Sequence, residues 1–177
     1  MEAGDSSVCN SQYEIKLFKA AFSVAFHGLL RIDELAINNG CSRHVLLISN
    51  LAICNENLKL KFSSSKTDQL REGSELILQR RQEHVDCTWS LVIEYINSRR
   101  PLCEQLYCQF DGIPLARTQF GVILKKCLLI IEIDPKRYSS HSFRIGAATN
   151  LAVDEASDGV IRIINKGNNK ITELRTI

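Results

Sequence analysis

A chain of 177 residues is long enough for one domain with one sizeable core. With 45% hydrophobic and 24% charged residues it has an ordinary globular composition, and a formal net charge of +2 neither demands nor excludes a nucleic-acid partner. No apolar run nears the roughly 20 residues that span a bilayer, and seven cysteines at irregular spacings, without a CxxC pair, argue against a zinc site and for reduced thiols inside a cell.

Met1 to Ser11 is acidic and polar, unlike a signal peptide, and reads as a disordered tail. Gln12 to Leu30 reads as a helix: Leu17, Ala21, Val24 and Gly28 share one stripe, and Phe18, Phe22, Ala25 and Leu29 the next. Asn38, Asn39 and Gly40 punctuate the chain. His44 to Ile53 is rich in Val, Leu and Ile and predicts a strand. Asn57 to Phe62 alternates, with Leu58, Leu60 and Phe62 on one side and Lys59 and Lys61 on the other. The polar stretch from Ser63 to Gly73 predicts a loop, and Ser74 to Gln79 a third strand. Three sequential strands on short links predict an antiparallel meander.

Trp89, Val92, Ile93 and Ile96 fall at helical spacing, and Pro101 cannot continue that helix. Asp111, Gly112 and Pro114 predict a turn. Thr118 is the expected N-cap of a helix with Phe120, Leu124, Cys127 and Ile131 on one face, broken by Pro135. A last helix starts near Ser140 and carries Phe143, Ala147 and Leu151. Val160 to Ile164 is a short apolar segment, and Asn165 to Ile177 has little pattern. One helix, then strands, then several helices predict an α+β fold, mostly helical with a small three-stranded antiparallel sheet.

Three segments carry chemistry. Phe26-His27-Gly28-Leu29-Leu30-Arg31-Ile32-Asp33-Glu34-Leu35 sets an arginine, and a glutamate three residues later, at the end of an apolar helix. Alone it reads more readily as a helix-end arginine paired with Glu34 than as a site. Ser63-Ser64-Ser65-Lys66-Thr67-Asp68-Gln69 puts a lysine between the second and third strands, where a solvated turn residue is common. His141-Ser142-Phe143-Arg144-Ile145-Gly146-Ala147-Ala148-Thr149 sets a histidine and an arginine on one helix face, with small neighbours that allow another backbone close.

In this order the segments resemble the catalytic core of the tyrosine recombinases, the phage-integrase family of DNA breaking and rejoining proteins. The resemblance runs from about Leu17 to about Ile164, so residues 12–164 are the expected core. The wording is closer to recombinases of eukaryotic mobile elements than to bacterial chromosome-dimer resolvases. It implies that Arg31 and Arg144 clamp the non-bridging oxygens of a scissile phosphate, a task that suits a planar, permanently charged donor fork. It implies that His141 donates to that phosphate or exchanges a proton with the nucleophile, that Lys66 protonates the departing 5′-hydroxyl oxygen, and that Glu34 orients its neighbours. Because the cations are side chains, neither metal nor cofactor is expected. Lys59, Lys61, Lys136 and Arg137 are expected DNA contacts, beside Arg80, Arg81, Lys125 and Lys126.

The family's nucleophile is a tyrosine about thirty residues after the His-x-x-Arg box. Here Leu174 stands at the approximate position, Gly167 stands where a phosphate-binding tryptophan or histidine is expected, and residues 165–177 read as a divergent or truncated tail. The chain's tyrosines are Tyr13, Tyr95, Tyr107 and Tyr138. Tyr138 lies on the wrong side of the box and reads as a packing residue. No counterpart of the family's N-terminal clamp domain is expected in these residues. Three readings follow: a binder of double-stranded DNA unable to cleave alone, an active enzyme taking its tyrosine from another recombinase subunit, and a protein-interaction module that has lost DNA binding. All are intracellular and without membrane contact, nuclear if the source is eukaryotic.

Overall fold

The computed structural model describes residues 8–38, 44–62, 74–80 and 87–157, of which 151–157 are described as backbone only. Helix α1 (Gln12–His27) runs through the middle of the core: Leu17, Ala20, Ala21 and Val24 have no exposed surface. Its small residues let other helices approach closely. The Ser11 hydroxyl caps the helix by accepting from the Glu14 N–H at 3.1 Å, and the Glu14 carboxylate reaches back to the Asn10 N–H at 2.6 Å. Val8 and Cys9 belong to the core, so packing begins ahead of Gln12.

The helix stops at His27, three residues before the expected Leu30, through a Schellman turn. The Leu29 N–H donates to Phe26 O at 3.2 Å and the Leu30 N–H to Ala25 O at 3.1 Å. Leu29 holds the left-handed conformation, φ 52°. The adjacent Gly28 is needed for space instead: a Cβ there would lie 2.7 Å from Val24 O and 2.8 Å from Leu76 Cδ2.

A four-residue helix, α2 (Ile32–Leu35), follows, then a 3-10 turn at Ile48–Asn50. The sheet is an antiparallel meander in the order β1 (Leu51–Cys54), β2 (Asn57–Phe62), β3 (Ser74–Gln79), with Leu60 opposite both Leu51 and Leu76. Leu58, Leu60 and Phe62 point into the core, as the alternation predicts. Asn55 (φ 53°) supplies the left-handed residue of the two-residue turn between β1 and β2.

The expected strand from His44 to Ile53 is corrected to Leu51–Cys54. The residues before it bond elsewhere: the Leu46 N–H donates to Glu34 O at 2.9 Å, the Ile48 N–H to Glu104 O at 2.8 Å, and the Leu47 N–H to Asn50 Oδ1 at 2.9 Å.

Helix α3 (Thr88–Ser98) buries Val92 and Tyr95 against α1. Helix α4 (Arg117–Ile130) buries Phe120, Ile123 and Leu124. Its N-cap is Ala116 rather than the expected Thr118, and Ile131, expected on the inner face, is 61% exposed. The helix ends well before Pro135 in a second Schellman turn: Glu132 (φ 59°) donates to Leu129 O at 3.1 Å and Ile133 to Leu128 O at 2.9 Å. A 3-10 turn, Pro135–Arg137, leads into α5 (Ser140–Ser157). The fold is α+β, mostly helical around one three-stranded sheet.

Candidate phosphate site at the end of helix α1

Helix α1 leads into the stretch that carries Arg31, and α5, which carries His141 and Arg144, packs along α1. Arg31 lies four residues past the helix, immediately after the Schellman turn. Its backbone N–H donates to Glu34 Oε2 at 2.7 Å, and the Glu34 N–H returns to Arg31 O at 2.9 Å. Glu34 therefore acts on the main chain of Arg31, locking its φ and ψ as the first residue of a turn. Arg31 itself is exposed, and no side-chain partner holds its guanidinium among the described residues.

His141 and Arg144 lie in the first turn of α5. Ser139 caps it: its Oγ accepts from the His141 N–H at 3.3 Å, and its own N–H donates to Ser142 Oγ at 3.0 Å. His141 is exposed and Arg144 half-buried, and neither side chain has a hydrogen-bond or ion-pair partner among the described residues. A helix N-terminus favours an anion, and His141 and Arg144 lie near that of α5.

An aromatic cluster sets α5 against α1. Phe143 stacks on Phe22 with ring centroids 5.4 Å apart and meets Phe120 of α4 at 5.7 Å; Phe22 meets Phe120 edge-on at 4.8 Å. One turn on, the α-carbon of Gly146 faces Phe26, so that an added Cβ would lie 3.5 Å from Cε2. Phe143 against Phe22 and Gly146 against Phe26 run in the same order along both helices. The start of α5 is thus carried on the last turns of α1, next to the stretch that leads to Arg31.

The sheet docks at the same end. Leu76 of β3 touches the Gly28 turn, and the Phe62–Ser74 pair that opens the β2–β3 link lies one pleat beyond. Lys66 belongs to that link and lies outside the described residues, as do Gly167 and Leu174. Lys59 and Lys61 project from β2 on the face away from the core, Lys61 opposite Glu75. Lys136 and Arg137 are exposed in the turn just before α5. The four expected DNA contacts therefore fall into two groups, one on the sheet and one beside His141.

Three of the four tyrosines are buried. The Tyr13 hydroxyl donates to Cys108 O at 2.9 Å, and burial pushes its pKa up to about 12. The Tyr95 hydroxyl donates to Leu106 O at 3.1 Å and accepts from the Cys108 N–H at 3.0 Å; burial raises its pKa as well. Tyr107 is raised by burial alone, and its hydroxyl has no partner among the described residues. These groups tie the 99–116 link to α1 and α3, and none is placed to attack a phosphate. Tyr138 is 41% exposed. Sequence reasoning did not single out the Ser23–His27–Thr88 cluster, in which Thr88 Oγ1 lies 2.9 Å from His27 Nδ1 and 2.7 Å from Ser23 Oγ, joining the end of α1 to α3. Polar residues inside an apolar helix were the available signal.

No group of three or more His, Cys, Asp or Glu side chains able to hold a metal occurs among the described residues, and no helix there is long and apolar enough to cross a membrane. No protein-family model matches the chain, and no curated protein matches it in sequence. Solved structures do match. The XerH site-specific recombinase bound to its difH substrate, in a pre-cleavage complex, superposes with a TM-score of 0.59 at 13% identity, over 87% of this chain and 40% of that one. The post-cleavage complex on palindromic difH gives 0.58 at the same identity, over 87% and 39%. The chain spans about 40% of the length of the recombinase it matches. At that identity the likeness speaks for the fold alone: the chain carries the catalytic-core fold of a tyrosine recombinase.

Proposed function

We propose that the protein binds double-stranded DNA through a recombinase-type phosphate site and does not cleave it alone. Arg31 and Arg144 hold the non-bridging oxygens of one phosphate, His141 donates to the same group, and Lys66 reaches it from the β2–β3 link. Lys59, Lys61, Lys136 and Arg137 add contacts to neighbouring phosphates. What supports this reading is that Arg31 follows the end of α1 while Phe143 and Gly146 of α5 pack on its last turns, and that both arginines lack anionic partners among the described residues. Their preorganised donors match the charge that develops on a phosphate under attack. What supports the absence of cleavage by this chain alone is that residues 139–177 contain no tyrosine and that Tyr13, Tyr95 and Tyr107 are buried. The sequence motifs favour an origin in a eukaryotic mobile element and hence a nuclear setting.

Suicide duplexes that trap a protein–DNA covalent link test this directly. The expected result is a gel shift with no covalent adduct. An adduct mapped to a tyrosine of this chain overturns the proposal. The absent tyrosine also favours a second reading, in which a partner subunit supplies it. Mixing with a tyrosine-bearing recombinase then yields cleavage that is lost with Arg144→Ala in this chain.

A further inference from the structure

The outer face of α4 is more apolar than a free surface should be. Val122 is 51% exposed, Leu129 61%, Ile130 46%, Ile131 61% and Ile133 36%. The inward stripe of the helix, Phe120, Ile123 and Leu124, is buried. Val122 and Leu129 lie two turns apart on the opposite side. Single exposed aliphatics are common, but five along one helix and its terminal turn mark a contact surface.

Around Leu129 the charges are sorted by sign. Lys125 and Lys126, both exposed, precede it by one turn, and Glu132 and Asp134, also exposed, follow it. None of these four has an ion-pair partner among the described residues. The Schellman turn fixes the acidic end, because the Glu132 N–H is bonded to Leu129 O and the Ile133 N–H to Leu128 O. A patch that is basic at one end and acidic at the other is complementary to its own copy turned end over end.

Two antiparallel registers bring the aliphatics of two copies together. With the two-fold axis midway between Val122 and Leu129, Val122 meets Leu129, but the lysines of both copies face one another and repel. With the axis at Leu129, Leu129 meets Leu129 and Lys126 lies opposite Glu132, each three residues, or about 4.5 Å of helix rise, from the axis. Lys125 then lies opposite Ile133 and Asp134. Electrostatics selects the second register, and the two-fold symmetry makes every such pair twice.

We infer that the protein self-associates as a two-fold dimer through the C-terminal halves of its α4 helices, packed antiparallel about Leu129, with Lys126 of each copy facing Glu132 of the other. The dimer needs no DNA, so it does not rest on the proposed phosphate site. Five aliphatics and four charges per copy are fewer than the roughly 20–30 residues per side of a standard interface, so the association is weak and reversible.

Sedimentation equilibrium of the nuclease-treated full chain at low salt tests it, over protein concentrations up to about 0.5 mM, where weak interfaces are populated. The expected result is a monomer–dimer equilibrium. Leu129→Gln replaces an exposed residue, keeps the native urea midpoint and weakens the dimer at least about tenfold. Lys126→Glu and Glu132→Lys each set like charges across the axis and weaken it several-fold. Lys126→Glu/Glu132→Lys in one chain exchanges both signs and restores the association, as does an equimolar mixture of the two single variants. A monomer throughout the concentration series overturns the proposal. So does a dimer of native strength in Leu129→Gln, assembly beyond the dimer, or a double variant that associates no better than the single ones.

Discussion

Phe143 of α5 stacks on Phe22 of α1, ring centroids 5.4 Å apart and planes inclined by 28°. This contact joins the residue beside Arg144 to the helix whose end leads to Arg31. Phe120 completes the cluster from α4, so the position of the His-x-x-Arg turn depends on three helices together.

Phe143→Ala removes the stacking partner and leaves a cavity between α1, α4 and α5. For a half-buried aromatic the expected cost is about 2–4 kcal/mol, read as a lower urea midpoint at unchanged slope. DNA affinity falls in the same variant although no cationic residue has been touched. Phe143→Leu refills most of the volume and restores affinity. Full DNA affinity in the alanine variant would show that the cluster does not position Arg144.

Gly28→Ala adds a methyl group where Val24 O lies 2.7 Å and Leu76 Cδ2 2.8 Å away. The leucine can turn aside, but the carbonyl is main chain. A loss of about 1–3 kcal/mol is expected, with the turn before Arg31 and the docking of β3 both disturbed. Thermal unfolding measures it. An unchanged midpoint would mean that α1 and β3 separate freely.

Glu132 is exposed and holds a left-handed conformation that glycine adopts without strain. Glu132→Gly is expected to stabilise the fold by about 0.5–1 kcal/mol, because relief of the strain exceeds the added chain entropy. Glu132→Ala, which keeps the Cβ, gives little change and serves as the control. Denaturant titration of the three proteins side by side distinguishes these outcomes.

The buried tyrosines set the alkaline limit. Each has a folded pKa above its ordinary value of 10, reaching about 12 for Tyr13. Below pH 10 they are protonated in both states and their contribution is complete. Above it the unfolded chain gives up protons that the folded chain keeps, so stability falls as pH rises from 10 through 12. Urea midpoints at pH 8, 10 and 11 read the decline, which is shallower in Tyr107→Phe. At pH 7 that substitution is neutral or stabilising by up to about 1 kcal/mol, since its hydroxyl has no partner among the described residues. Tyr95→Phe costs about 1–2 kcal/mol, since it loses bonds to Leu106 and Cys108.

Much of this architecture was legible in the sequence, for identifiable reasons. α1, α3 and β2 carry strong local periodicity, and their buried faces match it. The strand expected from His44 failed because Leu46 and Ile48 satisfy their N–H groups on Glu34 and Glu104, distant residues that periodicity cannot see. The end of α1 was misplaced by three residues because Leu29, rather than a glycine, takes the left-handed position. Residue types single out Arg31, His141 and Arg144 as candidates, but not what positions them. The Phe22–Phe120–Phe143 cluster is a tertiary fact, whereas the Arg31 N–H bond to Glu34 is local. Ile131 was assigned to the inner face on helical phase alone, whereas the helix has already ended at Ile130.

The central claim is that Arg31 and Arg144 bind one DNA phosphate. Titration of a labelled duplex at low and moderate salt, for the native chain and for Arg31→Ala/Arg144→Ala, tests it most directly. Charge-assisted hydrogen bonds contribute about 1.5–3 kcal/mol each, so the double variant should bind at least about a hundredfold more weakly. Its salt dependence should be shallower by about two charges. Equal affinity and equal salt slope for the two proteins, or no binding by either at low salt, would contradict the account.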